Sequence, residues 1–148
     1  MDAAKILCQN PLVNFLFIGK GRKPKTKHKN IKFLGRLDYK KTLNIISQSF
    51  ATFVPSQIFE AFPRTAIESL VYSVPVIGTK VGGILEAVGK GGIIVSAGRA
   101  EKLAEAGQLL LKDKNLYNKQ KEGAKVQARK FCQTEIVKKV LKVYQSLL

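Results

Sequence analysis

Histidine, cysteine and acidic residues are scarce in this sequence, and each scarcity closes off a class of chemistry. The one histidine, His28, sits inside a lysine run, and the two cysteines, Cys8 and Cys132, lie near opposite ends with no second Cys or His at metal spacing. A transition-metal site is therefore not expected, and reduced, structural thiols in a cytoplasmic protein are. No stretch approaches the roughly 18 consecutive apolar residues of a membrane span. Met1-Asp2-Ala3-Ala4-Lys5 has neither the basic start nor the apolar run of a signal peptide.

Acidic residues number 10 against 26 Lys and Arg, a formal net charge of +16. The excess is uneven. Ten basic residues fall between Lys20 and Lys41 and ten between Lys112 and Lys142, whereas Thr42 to Gly98 holds only Arg64, Lys80 and Lys90. Such flanks attract nucleic acids, acidic lipid headgroups and phosphorylated sugars alike, or simply keep the protein soluble, so charge alone does not choose a partner. No RNA- or DNA-binding pattern accompanies the lysines, and aromatics are not interleaved with them, so specific nucleic-acid binding is not expected. A basic nucleic-acid-binding protein stays as an alternative.

The 148 residues are enough for one domain with a proper core. Hydrophobic periodicity predicts alternating elements: a helix over Ala3–Gln9, strands at Asn14–Ile18 and Ile31–Leu34, a helix over Lys41–Ser49 and a strand at Ala51–Val54. A helix entered at Pro63 and running to about Tyr72 follows, then a strand at Val74–Gly78, a short helix near Leu85 and a strand at Gly92–Val95. Helices at Arg99–Leu111 and Leu116–Arg129 come next. In the last segment Ile136, Val137, Val140, Leu141, Tyr144, Leu147 and Leu148 keep to one face behind Thr134, which predicts a helix packed on its own domain, with a membrane-surface helix as the alternative. Alternation of this kind gives a mostly parallel sheet covered on both faces, a Rossmann-like three-layer α/β sandwich. Ligands of such sheets gather at the carboxyl ends of the strands. The candidate loops are those after Ile18, Leu34, Val54, Ile77 and Val95.

The richest of these loops is Pro55 to Pro63. Glu60 lies before the predicted helix and Glu68 inside it, separated by seven residues. A helix N-terminus favours an anion such as a diphosphate, and carboxylates beside it can accept hydrogen bonds from sugar hydroxyls. Glu68 paired with a neighbouring lysine, with no ligand, is the plainer alternative.

Pro55-Ser56, the Glu60/Glu68 pair, Ser73-Val74-Pro75-Val76-Ile77-Gly78-Thr79 and Val81-Gly82-Gly83 followed by Glu86 occur here in one order. Together with Phe15-Leu16-Phe17-Ile18-Gly19-Lys20-Gly21 and Ile31-Lys32-Phe33-Leu34-Gly35, they resemble the C-terminal, donor-binding domain of retaining GT-B glycosyltransferases of family four, the glycogen-synthase-like group. The resemblance covers nearly the whole chain, residues 1–148 forming one half of a GT-B fold. It implies transfer of a hexose from a nucleotide-diphosphate sugar to a glycan or lipid-linked acceptor, with the donor as substrate and no further cofactor or metal. It also implies roles. Glu60 would contact the transferred sugar near the reacting carbon and is the candidate catalytic residue, and Glu68 would bind the donor ribose. Amides of Phe62, Arg64 and Thr65 would face sugar and diphosphate, Gly35-Arg36-Leu37 would lie against the base, and Gly19 and Gly21 would line the crevice.

Two departures from the family pattern stand out. Pro63 replaces a common glycine and has no N–H to offer, although Arg64 adds a positive charge beside the diphosphate site. The family's first strand, with an Arg and a Lys that neutralise the leaving diphosphate, and its acceptor-binding N-terminal domain have no counterpart in these residues. Gly35-Arg36-Leu37-Asp38-Tyr39-Lys40-Lys41 mimics the Arg/Lys motif but falls at the base-binding loop. The expectation is a domain that binds donor but is inactive alone, completed by a separate acceptor-binding half, with peripheral docking to an anionic membrane face as a further expectation. A non-catalytic remnant or docking subunit is the alternative.

Overall fold

The protein is described from a computed structural model covering residues 1–21 and 23–147. Arg22 of the first basic run and Leu148 of the final apolar face lie outside the described residues.

Helix α1 (Asp2–Leu7) leads into strands β1 (Phe15–Ile18) and β2 (Ile31–Gly35), then α2 (Tyr39–Ser47), β3 (Thr52–Val54), α3 (Arg64–Val71), β4 (Val76–Thr79), α4 (Ile84–Val88) and β5 (Gly92–Val95). Three helices close the chain: α5 (Ala100–Lys112), α6 (Lys114–Arg129) and α7 (Gln133–Gln145). All strand pairing is parallel, β1 with β2, and β3 with β4 and β4 with β5. The sheet is divided, because no ladder joins β1 to β3 among the described residues.

Side-chain alternation along the strands builds two apolar layers. Ile77 faces a core made by Leu7 of α1 and Leu103, Ala106 and Leu110 of α5, joined at its margin by Phe15 and Phe53. Its neighbour Val76 points to the opposite face, where Ala66 and Leu70 of α3, Ile84 and Val88 of α4 and Ala124 of α6 close over it. Every residue of β4 is buried, as a central parallel strand covered on both sides requires. Helix α6 starts beside the first layer, through Leu116 and Tyr117, and ends in the second. The result is the parallel, Rossmann-like α/β sandwich expected from the sequence.

Three sequence expectations are corrected. Pro63 is the N-cap of α3 and not its first residue, and its carbonyl accepts from the amides of Ala66 and Ile67. Helix α7 forms where the periodicity put it but is not packed on the domain: it has no buried residue, and Leu141 and Tyr144 are 53% and 66% exposed. Periodicity fixes which residues share a face, not whether a neighbour exists to cover it. Cys8 is buried, and burial pushes its thiol above the usual range, whereas Cys132, the N-cap of α7, is exposed and so is not the structural thiol expected. No helix among the described residues is long and apolar enough to cross a membrane.

Candidate donor site at the strand carboxyl ends

Strand β3 ends at Val54, and the chain must then travel to α3 across the top of β4. Thr79, the last residue of β4, is fully buried yet polar. Its hydroxyl donates to the Ser56 carbonyl at 2.6 Å, which holds the start of the loop down on the strand end. Ser56 in turn donates through its own hydroxyl to Glu60 Oε2 at 2.6 Å. From the other side the Gly83 amide donates to the Glu60 carbonyl at 2.8 Å. Glu60 is thus fixed by side chain and backbone at once, while its carboxylate retains lone pairs for further donors.

The glycines beneath this loop are required by contact. Gly82 has φ +52°, and a Cβ there would run into the backbone of Glu60. One on Gly83 would meet the Ala61 carbonyl. The β4–α4 turn and the Glu60 loop are therefore pressed backbone to backbone, which only glycine allows.

Helix α3 begins directly after the loop, with no side chain capping its first amides. The Arg64 amide is already engaged, donating to the Phe62 carbonyl at 2.9 Å. Thr65 is exposed in the first turn, and Phe62 is 56% exposed with its ring edge-on to Phe131. Glu68, one turn in, is only 18% exposed at its side chain, and Arg64 Nη2 stands 3.6 Å from its Oε1 while itself remaining 74% exposed. Glu68 is thus paired with an arginine and not with the lysine expected, at a distance longer than a hydrogen bond. The pair brings a guanidinium to the N-terminal turn of α3, where helix amides already favour an anion.

The other predicted residues occupy two looser loops. Gly19 and Gly21 follow β1 with φ +141° and +147°, and a Cβ on either meets nothing, so their role is conformational and not steric. Gly35 ends β2, Arg36 is exposed, and Leu37 lines a shallow groove with Lys40, Lys41, Asn44 and Ile45 of α2. The Asp38 carboxylate caps α2 by accepting from the Lys41 amide at 2.8 Å. That hydrogen bond, with the Lys41 ammonium beside it, holds the carboxyl below the usual range. The sequence reading quotes Thr79 only as the last residue of the Ser73–Thr79 motif, just past the strand expected at Val74–Gly78, and gives it no role.

Residues 1–127 match the family described as glycosyl transferases group 1. The chain belongs to that family. An uncharacterized glycosyltransferase of Methanocaldococcus jannaschii is 30% identical, over 90% of this chain and 41% of that protein. Sucrose-phosphate synthase from Thermosynechococcus elongatus shares the fold with a TM-score of 0.79 at 22% identity, over 99% of this chain and 41% of its own. Anabaena HepE, solved in complex with UDP and with UDP-glucose, gives TM-scores of 0.80 and 0.79 at 20% and 19% identity, each over 98% of this chain and 44% of that one. The glycosyltransferase group 1 chain thus spans about two-fifths of the length of the relatives it matches.

Proposed function

We propose that this chain is the donor-binding half of a retaining GT-B glycosyltransferase, holding a nucleotide-diphosphate sugar for hexosyl transfer to an acceptor bound by a second half. The observation that carries this is the double fastening of Glu60 immediately ahead of the α3 N-terminus, with Glu68 and Arg64 one turn beyond. A carboxylate held this firmly suits a group that must meet sugar hydroxyls in one geometry, because misplacement by about an ångström costs on the order of 100-fold in rate. In this reading Glu60 receives hydroxyls of the transferred sugar, Glu68 receives ribose hydroxyls, and Arg64 turns from Glu68 toward the diphosphate. The amides of Phe62 and Thr65 supply further donors, Gly19 and Gly21 admit the donor closely, and Gly35, Arg36 and Leu37 flank the base. Family membership and the fold shared with a UDP-bound structure support it. Transfer needs both halves closed around the donor, so the isolated chain binds without turning over.

Calorimetric titration with UDP, GDP and ADP tests the site. Glu68→Ala should weaken the nucleotide that binds by about tenfold or more, since hydrogen bonds to a charged group contribute roughly 1.5–3 kcal/mol. The distant Glu101→Ala should leave it unchanged, and equal losses in both variants would sink the assignment.

The basic flanks are a second surface, read as docking toward an anionic membrane face. Each lysine near such a surface contributes roughly 1 kcal/mol. Binding to anionic vesicles should fall as salt rises and be independent of UDP. Sequence-selective RNA binding that survives near physiological salt and blocks UDP would overturn this reading of the flanks.

A further inference from the structure

The loop that carries Glu60 has an apolar tip that no group assigned to the donor uses. The backbone bends at Ile58, and Ile58 and Phe59 are 80% and 79% exposed, with the exposed Phe62 three residues on. Single apolar side chains are ordinary on a protein surface, but two large ones at one bend with a third close behind make a patch. The tip is held from folding back to bury them. The Ser56 hydroxyl and the Glu60 carboxylate close its base at 2.6 Å, Thr79 pins Ser56 from below, and the Gly83 amide holds the Glu60 carbonyl. Gln57, Ile58 and Phe59 therefore stand above a fixed base, and water covers apolar surface that would gain free energy by leaving it.

Position and chemistry say what covers the tip. The groups assigned above to sugar and diphosphate are polar: the carboxylates of Glu60 and Glu68, the Arg64 guanidinium and the amides at the head of α3. Yet Phe59 is bonded directly to Glu60, and consecutive Cα atoms lie about 3.8 Å apart. In the donor-half reading the tip thus adjoins the place where the transferred sugar meets its acceptor. A hydroxyl-rich acceptor is held by hydrogen-bonding side chains, and the tip offers Gln57 alone. An acceptor with an apolar tail matches both ends of the loop: its hydroxyl lies toward Phe62 and the sugar, and its tail covers Ile58 and Phe59. Such a molecule resides at a lipid surface, and the net charge of +16 draws the chain to an anionic one.

We propose that the acceptor is an amphiphile, whose apolar tail packs on Ile58 and Phe59 while its hydroxyl end lies toward Phe62. This rests on the donor-half reading above and names the acceptor class for that same site. In the transfer the acceptor oxygen bonds to the anomeric carbon of the donor sugar. The bond from that carbon to the diphosphate oxygen breaks, the diphosphate keeps the electron pair, and the hydroxyl proton leaves with it.

Soluble glucosides test it on the 148-residue chain. Methyl and n-octyl β-D-glucoside, kept below micelle formation, share a head and differ only in the tail. In NMR titrations followed at the Ile58 methyls and the Phe59 ring, octyl glucoside should bind at least about tenfold more tightly, because several methylenes leave water. Its octyl chain should show contacts to Ile58 and Phe59, and its glucose ring contacts to Phe62. Ile58→Ser combined with Phe59→Ser should remove the preference, whereas Leu141→Ser combined with Tyr144→Ser, on the exposed face of α7, should leave it intact. Equal binding of the two glucosides would overturn the proposal and leave the tip to the second half. A preference that survives the tip variant, or a glucose ring directed away from Phe62, would overturn it too, and the contacts in the unmodified chain decide even where the tip variant fails to fold. Calorimetry with UDP, GDP and ADP on the same samples separates the readings. Nucleotide binding without an octyl preference overturns this inference alone, and an octyl preference without nucleotide binding overturns the donor reading and, with it, the assignment of the tip to an acceptor.

Discussion

The β3–β4–β5 side of the molecule and the β1–β2 side differ in how their loops are held. After β3 and β4 the chain is cross-linked: Thr79 to Ser56, Ser56 to Glu60, Gly83 to Glu60, with Leu70, Ile77 and Ile84 fully buried beneath. After β1 and β2 the chain passes through positive-φ glycines into exposed lysines, and Leu16 and Leu34 in the strands themselves are 39% and 37% exposed. One side is preset and the other is adaptable. In the function proposed above, a donor site built across both would fix the sugar firmly and let the base side adjust.

Substitutions should separate the sides by size of effect. The largest belongs to Leu70→Ala, which empties a fully buried position and should cost about 3–5 kcal/mol, against well under 1 kcal/mol for Leu16→Ala on the other side. At roughly 2–4 °C per kcal/mol, thermal denaturation resolves the two easily, and equal shifts would erase the contrast. Next is Gly82→Ala, which combines left-handed backbone with a collision against Glu60 and should cost about 2–3 kcal/mol. Because the collision is with the Glu60 loop, the proposed nucleotide binding should weaken as well, whereas a stability loss with binding untouched would detach that loop from the site. The smallest is Thr79→Val, which keeps the shape, removes the hydroxyl and strands the Ser56 carbonyl, for about 1–2 kcal/mol in chemical denaturation. An unchanged midpoint would mean that the loop is held by Gly83 alone.

The fold was legible because its signals are local. Each strand from Phe15 to Val95 is a short, mostly apolar run with Gly, Pro or Asn at one end or both, and the element order leaves few topologies. The Glu60 and Glu68 pair was legible as well, since its place between strand and helix is a matter of order along the chain. What periodicity could not carry was anything decided by distant partners. Thr79 falls just past the strand expected at Val74–Gly78 and shows no role until Ser56, 23 residues away in the chain, folds over it. Helix α7 has the pattern of a packed helix and no buried residue, because an apolar stripe records a requirement and not its fulfilment.

The two thiols, unlike in burial, also make the molecule selectively addressable. Cys8 lies inside the α1–β2 packing with its thiol pushed up by burial, so it is a poor nucleophile near neutral pH. Cys132 stands exposed at the head of α7, where a hydrogen bond with the Thr134 hydroxyl and the Glu135 amide beside it hold its thiol below the usual range. A maleimide dye at neutral pH should therefore modify one position and leave the interior untouched. That gives α7 its own optical reporter, able to register the moment its bare apolar face is covered.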